Sequence, residues 1–432
     1  MNRRSFLRNT GMAAAATFAL PYILPTGRLF AATGNRVVNH VVFCLLAGGV
    51  RNLESIQKSE GNLMPSLFNG TEPISNDILG GLDALPNPVN NQALQNYGTL
   101  FKEFRYGAGF PGHFQGHTTA ITGSVVNNDI SFNQPTQKPT VFEFYRKHNL
   151  SSNSGLNAWW VSNGIGENQN LSYSSDPSYG AKYSANFFSP LDLLVDGNYT
   201  PLDLCVSFNQ NEMSRVDQMR SFLNQNFNAG VHQGQLNINT ASDREQMDAF
   251  ITKLIKDQKN GINRDPWNCG SSMNNDMYNI YFAERIIKQF KPELLVVNMT
   301  DIDICHNNYT KSCNNMRKAD YAVGHLWNTI QNTPGMANDT ILIVAPEHGR
   351  DIQSNSIIDS FGRYGNDHGD ANSKNIFCLI AGPPSKVVQN QVVQSVTGQS
   401  IDIVPTIAHI LGFKNDIPSH YLSGTPLTQA LV

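Results

Sequence analysis

The chain contains five short apolar runs, and polar or glycine-rich residues follow each of them. The runs cover residues 40–46, 158–161, 294–297, 340–345 and 376–381. Uninterrupted runs of this length are typical of strands buried on both faces of a sheet. Segments with apolar residues at helical spacing lie at 140–148, 242–256, 277–289, 312–330 and 400–411. This order predicts an α/β fold with a largely parallel central sheet and helices on both faces.

Between residues 163 and 240 the apolar periodicity is lost, and Asn, Ser and Tyr predominate. A long stretch of this composition is typical of a loop-rich insertion that lies over a sheet rather than of a second core. We therefore predict one α/β domain over residues 33–432, with a loop-rich insertion at about 163–240.

The first 32 residues have the features of an export signal. Arg3 and Arg4 precede an alanine-rich apolar stretch, and small residues follow at Ala31 and Ala32. Paired arginines before Phe-Leu resemble a twin-arginine signal. The alternative is a membrane anchor, but prolines interrupt a run that is shorter than the roughly 20 apolar residues of a membrane span. We predict a signal peptide over 1–32, recognition by the twin-arginine export machinery, and a periplasmic or secreted protein without stable membrane insertion after cleavage.

Composition limits the classes of partner. The 432 residues carry a net charge of −3, so electrostatics give no reason to expect nucleic acid as a ligand. The six cysteines form no CxxC pair, which argues against a thiolate zinc site. Two pairings, Cys205 with Cys269 and Cys305 with Cys313, are open in an oxidising compartment.

Ligand-type side chains follow two of the predicted strands and fill one later loop. Asp301, Asp303 and His306 come after the run at 294–297, Glu347 and His348 after the run at 340–345, and His368 in the polar loop 364–372. The carboxyl ends of parallel strands meet at one sheet edge, where ligands collect. Asp303, His306, Glu347, His348 and His368 are therefore predicted to bind one or two divalent metal ions. Mixed imidazole and carboxylate donors favour Zn, Mn or Fe over Ca or Mg, with Zn or Mn the first choices.

Six short islands resemble the alkaline phosphatase superfamily, which includes sulfatases, phosphodiesterases and cofactor-independent phosphoglycerate mutases. They are GGVR at 48–51, HTTAITG at 117–123, DIDICH at 301–306, PEHG at 346–349, NDHG at 366–369 and IDIVPTIAHILG at 401–412. The likeness extends from about residue 40 to 413 and implies an alkaline phosphatase-like fold. It also implies a metal-dependent hydrolase that acts on a phosphate or sulfate ester of a small molecule or glycan.

The resemblance assigns roles residue by residue, with two departures. Asp303, His306 and His368 match one metal site, whereas Glu347 and His348 take the place of the Asp-His pair of the other. Gly48 stands where members have a first-strand aspartate. His113 stands where phosphodiesterase members have a nucleophilic threonine, so His113, His117 and the hydroxyl of Thr118 are the candidate catalytic groups.

Each of these residues also has a structural interpretation. His113 and His117 are equally well explained as hydrogen-bonded structural histidines, and Asp402 as the N-cap of the last helix. At the level of function, the alternative to a hydrolase is a non-catalytic periplasmic binding protein that retains the fold and a partial metal site.

Overall fold

The computed structural model describes residues 34–107, 109–126, 135–149, 155–163, 170–190, 239–269 and 273–432. Its strands are β1 His40–Leu46, β2 Gly98–Arg105, β3 Ala158–Val161, β4 Asn186–Phe188, β5 Leu294–Met299, β6 Thr340–Pro346, β7 Ser354–Ile358, β8 Tyr364–Asn366, β9 Asn375–Ala381 and β10 Gln391–Gln399. Its α-helices are α1 Asn76–Leu79, α2 His113–Thr122, α3 Val141–His148, α4 Ala241–Lys259, α5 Asn275–Phe290, α6 Tyr309–Asn332 and α7 Ile403–Ile410.

Eight strands form one sheet in the order β10-β2-β9-β6-β1-β5-β3-β4. Every adjacent pair is parallel except the two pairs that β9 makes with β2 and β6. The prediction of an α/β fold with a largely parallel sheet is confirmed. The remaining strands, β7 and β8, follow β6 and precede β9 in sequence, and they pair as a separate antiparallel hairpin.

Alternate residues of β1 enter different cores, which shows that helices cover both faces of the sheet. Val42, Cys44 and Leu46 pack with apolar residues of α4, α5 and α6. Val41, Phe43 and Leu45 pack with those of α2, α3 and α7. Burial on both faces explains why β1, β5, β6 and β9 are continuous apolar runs rather than alternating ones.

The sheet topology brings the candidate ligands to one edge. Strand β1 lies between β5 and β6 and is parallel to both, in register from residues 41 to 46. The three carboxyl ends therefore point the same way, and the chain beyond them forms the Gly48–Gly49 turn, the 3-10 helix Asp301–His306 and the Glu347–His348 segment. This is the edge at which the sequence predicts a metal site.

Three strands of the main sheet and both strands of the β7–β8 hairpin were not predicted, and two smaller predictions need correction. Strands β2, β4 and β10 fall where no apolar run marks them. Asp402 does not cap α7 with its side chain, because its carboxylate accepts hydrogen bonds from the backbone nitrogens of Gln399 and Thr425. The suggested Cys305–Cys313 disulfide is absent, since both are buried free thiols.

Other predictions fall on residues that the structure does not describe. Cys205 and the twin-arginine segment at 1–32 lie outside the described ranges, as does most of the predicted insertion beyond residue 190. Within the described ranges, no helix is both long and apolar enough to cross a membrane.

Candidate metal centre

Four imidazole rings lie together at the carboxyl edge of the sheet. The ring centroid of His368 is 4.5 Å from that of His113, 4.6 Å from that of His348 and 5.0 Å from that of His306. The structure thus brings together the three histidines predicted as ligands and adds His113 from helix α2. Two sets of ligand atoms come close enough to hold an ion: His113 with His348 and His368, and His113 with Asp303 and His306.

His113 owes its position to helix α2, of which it is the first residue. The helix starts after Gly112 without a side-chain cap, so its N-terminus faces the sheet edge and favours negative charge there. Nδ1 of His113 lies 2.6 Å from Oε1 of Glu347, and its Nε2 lies 2.8 Å from Oδ1 of Asp303. An imidazole therefore occupies the helix start and connects the two halves of the centre.

Glu347 is fully buried and is held by backbone as well as by imidazoles. Its Oε1 accepts a hydrogen bond of 2.6 Å from the backbone N–H of Gly48, and its Oε2 contacts Nδ1 of His117. The other ring nitrogen of His117 lies 3.1 Å from Oδ1 of Asn298. His117 therefore connects Glu347 to Asn298 of strand β5 and positions its carboxylate.

The turn after β1 has no room for the missing aspartate. Gly48 has φ +108°, and a Cβ there would lie 2.5 Å from the backbone nitrogen of Asp303. A Cβ on Gly49, with φ +74°, would lie 2.8 Å from the ring of His348. Because both positions demand glycine, this turn contributes no side chain to the centre, and the backbone N–H of Gly48 holds Glu347.

Asp303 and His306 meet the side chain of Arg350 on the other side of His113. Nη2 of Arg350 lies 2.6 Å from Oδ1 of Asp303, and its Nη1 lies 2.9 Å from Nε2 of His306. Asp367 holds the opposite ring nitrogen of His306 at 2.6 Å. Arg350 is 2 % exposed, so this guanidinium is a buried cation inside the centre.

Local charges set the protonation of the cluster. Burial opposes a charge on His113, but the carboxylates of Glu347 and Asp303 outweigh it and raise the pKa of His113 to about 10. Burial, His113 and Arg350 lower the pKa of His368 to about 4, and burial holds the pKa of His348 well below its usual value. Although burial alone would raise it, contacts from His113 and His306 keep the pKa of Asp303 below its usual value.

These features fit a metal ion. Metal ligands must be deprotonated, and His348 and His368 present neutral imidazoles in a buried setting. Nδ1 of His368 is buried without a hydrogen-bond partner, which is unusual for a polar atom and consistent with a ligand atom. His348 and His368 would hold the ion together with His113, which would release its proton on binding, and Glu347 would lie beside them. Imidazole-rich donor sets suit Zn better than Mn or Mg.

The candidate Thr118, its neighbour Thr119 and the ligand-type residue Asp301 are not part of the cluster. Thr118 and Thr119 are fully buried in α2, and neither hydroxyl has a hydrogen-bond partner among the described residues. A catalytic role for Thr118 stays a prediction, without a neighbouring base to activate it. Asp301 accepts hydrogen bonds from the side chain of Asn275 and the backbone of Asp276, so it serves the start of α5.

The guanidinium groups of Arg51 and Arg350 have the chemistry to bind an oxyanion, but their contacts do not support that role. The guanidinium of Arg51 pairs with the neighbouring Glu54 and donates to the backbone oxygen of Asp351. Sequence analysis missed Asp367 and Asn298 as positioning residues. The available signals were a carboxylate directly before His368 and an amide inside the apolar strand β5.

The known proteins that resemble this chain do so only in fold. No family model and no curated protein matches the chain. Among solved structures, an alkaline phosphatase PafA variant is similar at 12% identity and a TM-score of 0.49, over 91% of this chain and 99% of that one. A protein in the alkaline phosphatase superfamily from Vibrio parahaemolyticus is similar at 13% identity and a TM-score of 0.41, over 97% and 79%. The phosphonate monoester hydrolase of Agrobacterium radiobacter is similar at 12% and 0.40, over 90% and 76%.

Proposed function

We propose that this protein is an exported metal-dependent hydrolase of phosphate or sulfate esters. The observation that carries the proposal is the convergence of His113, His348 and His368 beside Glu347, at the sheet edge and the start of α2. A bound divalent ion there would act as a Lewis acid on a phosphoryl or sulfuryl oxygen and would activate water. Zn fits these donors best.

The residues of this chain supply orientation and a site for the anion. Glu347 is fixed by the N–H of Gly48 and by His117, so its carboxylate and the neighbouring His348 keep one geometry. The start of α2 lies beside the same cluster, since His113 is its first residue, and the N–H groups and dipole of a helix start favour an anion. An anionic ester group is therefore stabilised at the point where the imidazoles meet.

The test is turnover by metal-loaded protein on chromogenic phosphate monoesters, phosphate diesters and sulfate esters. His348→Ala removes a ligand, and we expect its kcat/KM to fall by more than the roughly 10–100-fold seen when metal-supporting groups are lost. The matched control is His420→Ala, because His420 is exposed and packs against Tyr421 outside the centre. Equal activity of wild type and His348→Ala on every ester would contradict the proposal.

A second function, non-catalytic binding, is favoured by one observation. The first residue of α2 is a histidine, and the hydroxyls of Thr118 and Thr119 are buried in the helix rather than presented at its start. A protein of this kind would bind Zn and an anionic ligand without turnover. Tight binding of an ester together with no hydrolysis of it by the Zn-loaded protein would support this alternative.

We further propose that the chain is exported by the twin-arginine route, on the strength of Arg3 and Arg4 before Phe6-Leu7. The receptor recognises the guanidinium pair, so replacement of both arginines by lysine should retain the precursor in the cytoplasm. Fractionation of expressing cells measures this, with Arg8→Lys as the control. Undiminished periplasmic protein from the double variant would contradict the route.

A further inference from the structure

Arg350 is held by acceptors on all sides. A guanidinium has five N–H donors. Nε lies 3.5 Å from the carbonyl oxygen of Gly49, Nη1 donates to His306 and to the carbonyl oxygen of Asn366, and Nη2 donates to Asp303 and to the carbonyl oxygen of Gly48. Five donors thus meet five acceptors. No donor remains for a substrate oxyanion, so the role of this buried cation lies within the centre itself.

The contact with Arg350 also occupies the ligand atom of His306. Arginine can only donate, so Nε2 of His306 must accept from Nη1 at 2.9 Å. The proton of the neutral ring then sits on Nδ1 and is donated to Asp367 at 2.6 Å. Neither nitrogen of His306 is free for an ion while Arg350 stays in place.

In contrast to His306, His348 and His368 each have a ring nitrogen that accepts no hydrogen bond from Arg350. Nδ1 of His348 lies 2.7 Å from the carbonyl oxygen of Gly349, which can only accept, so the lone pair of His348 is on Nε2. That atom lies 3.2 Å from Nδ1 of His113, at the middle of the cluster. Nδ1 of His368 has no hydrogen-bond partner. The guanidinium therefore takes the lone pair of His306 but not those of His348 and His368, while His113, which both candidate ligand sets share, lies against the carboxylates of Glu347 and Asp303.

The charges agree with this division. Asp303, Glu347 and Asp367 bring three negative charges to the centre. The guanidinium and one divalent ion balance them, whereas a second divalent ion next to the buried Arg350 would leave a surplus of two positive charges.

We propose that the centre binds one divalent ion, on His113, His348 and His368, and that Arg350 occupies the neighbouring Asp303–His306 position as a built-in cation in place of a second ion. The inference rests on the metal centre of the proposed function and not on turnover. If the inference holds, the side chain of Arg350 sets the number of ions that the centre binds.

The test is the stoichiometry of Zn binding by purified, chelator-stripped protein, measured by calorimetry and by elemental analysis after gel filtration. Wild type should bind one Zn per chain. Arg350→Met removes the charge while keeping an apolar chain of similar length, and it should bind two. Arg350→Lys keeps the charge and should bind one, as should the control Arg363→Met, whose arginine pairs with Glu60 and Asp77 away from the cluster.

Ligand variants with Arg350 intact test the same point if Arg350→Met does not fold. His348→Ala should weaken Zn binding by more than the roughly 10–100-fold that is typical when supporting groups are lost, whereas His306→Ala should weaken it by less than about 10-fold, below that range. Two ions in wild type, one ion in folded Arg350→Met, or a larger loss in His306→Ala than in His348→Ala would overturn the inference and leave a hydrolytic centre possible. No Zn bound by wild type would overturn the metal-dependent function as well.

Discussion

At the scale of single residues, backbone groups of the turn after β1 hold two charged side chains of the centre. The turn after β1 uses two glycines with positive φ to bring the N–H of Gly48 against Glu347 and its carbonyl oxygen against Arg350. The longer side chain of Glu347 reaches that N–H. These residues compensate for one another, so the absence of an aspartate at position 48 is part of a consistent arrangement.

Gly48→Asp tests whether that arrangement excludes the carboxylate. The new Cβ would collide with the backbone nitrogen of Asp303 at 2.5 Å, in addition to the cost of a positive φ. We expect the free energy of unfolding to fall by at least ~2 kcal/mol more than in Gly335→Asp, measured by urea denaturation. Gly335 is the matched control, because its φ is +87° and a Cβ there meets nothing within 4 Å. Equal losses in the two variants would contradict the steric argument.

The sequence allowed the ligand residues to be predicted, but not their partners. Histidines and carboxylates directly after buried strands mark a site because strand ends converge. The role of Arg350 could not be predicted, because it depends on acceptors contributed by residues 48, 49, 303, 306 and 366. Such a network exists only after the chain has folded.

At the scale of elements, burial decided which strands could be predicted. Strands β1, β5, β6 and β9 each contain a continuous apolar run because helices cover both sides of the sheet. Strand β10 is an edge strand with mostly exposed or half-exposed residues, and its sequence QVVQSVTGQ has no clear apolar face. Its position depends on pairing with β2, which is a long-range contact without a local signal.

Helix α3 shows how one buried carboxylate connects an element to its surroundings. Glu143 completes a capping box with Thr140, and its Oε1 accepts hydrogen bonds of 2.7 Å from Ser174 and from the backbone N–H of Gly180. Burial raises the pKa of Glu143 to about 7 from 4.5, although these hydrogen bonds oppose the rise. The same side chain therefore fixes the helix start and the segment around residue 174.

The raised pKa predicts a pH dependence. Between pH 4.5 and 7 the folded state retains a proton on Glu143 that the unfolded chain has released, so the contribution of Glu143 to the free energy of unfolding falls as pH rises, by about 1.4 kcal/mol per unit. Glu143→Gln cannot titrate, and its free energy of unfolding should fall less steeply from pH 5 to 7 in urea denaturation. Glu245→Gln, at an exposed carboxylate on α4, should keep the wild-type slope. An unchanged slope in Glu143→Gln would contradict the prediction.

At the scale of the whole molecule, the centre joins parts that are far apart in sequence. Helix α2, the turn after β1, the 3-10 helix after β5, the segment after β6 and the loop at 367–368 all contribute to it. An ion bound there should stabilise the whole domain rather than one element, because it binds the folded state and not the separated segments of the unfolded chain.

Zinc should therefore raise the Tm of the stripped protein. At 100 times Kd the linkage amounts to about 2.7 kcal/mol. Differential scanning calorimetry with and without Zn measures the shift, which we expect to vanish in His348→Ala and to persist in His420→Ala. A shift of equal size in His348→Ala would place the stabilising ion elsewhere.

The most direct measurement of the central claim is the anomalous difference density at the zinc absorption edge, from crystals of the wild-type protein loaded with Zn. The account predicts a peak about 2.0–2.1 Å from a ring nitrogen of each of His113, His348 and His368. It also predicts that the guanidinium of Arg350 remains against Asp303 and His306. Absence of a peak within reach of these three rings, in protein that retains Zn, would contradict the account.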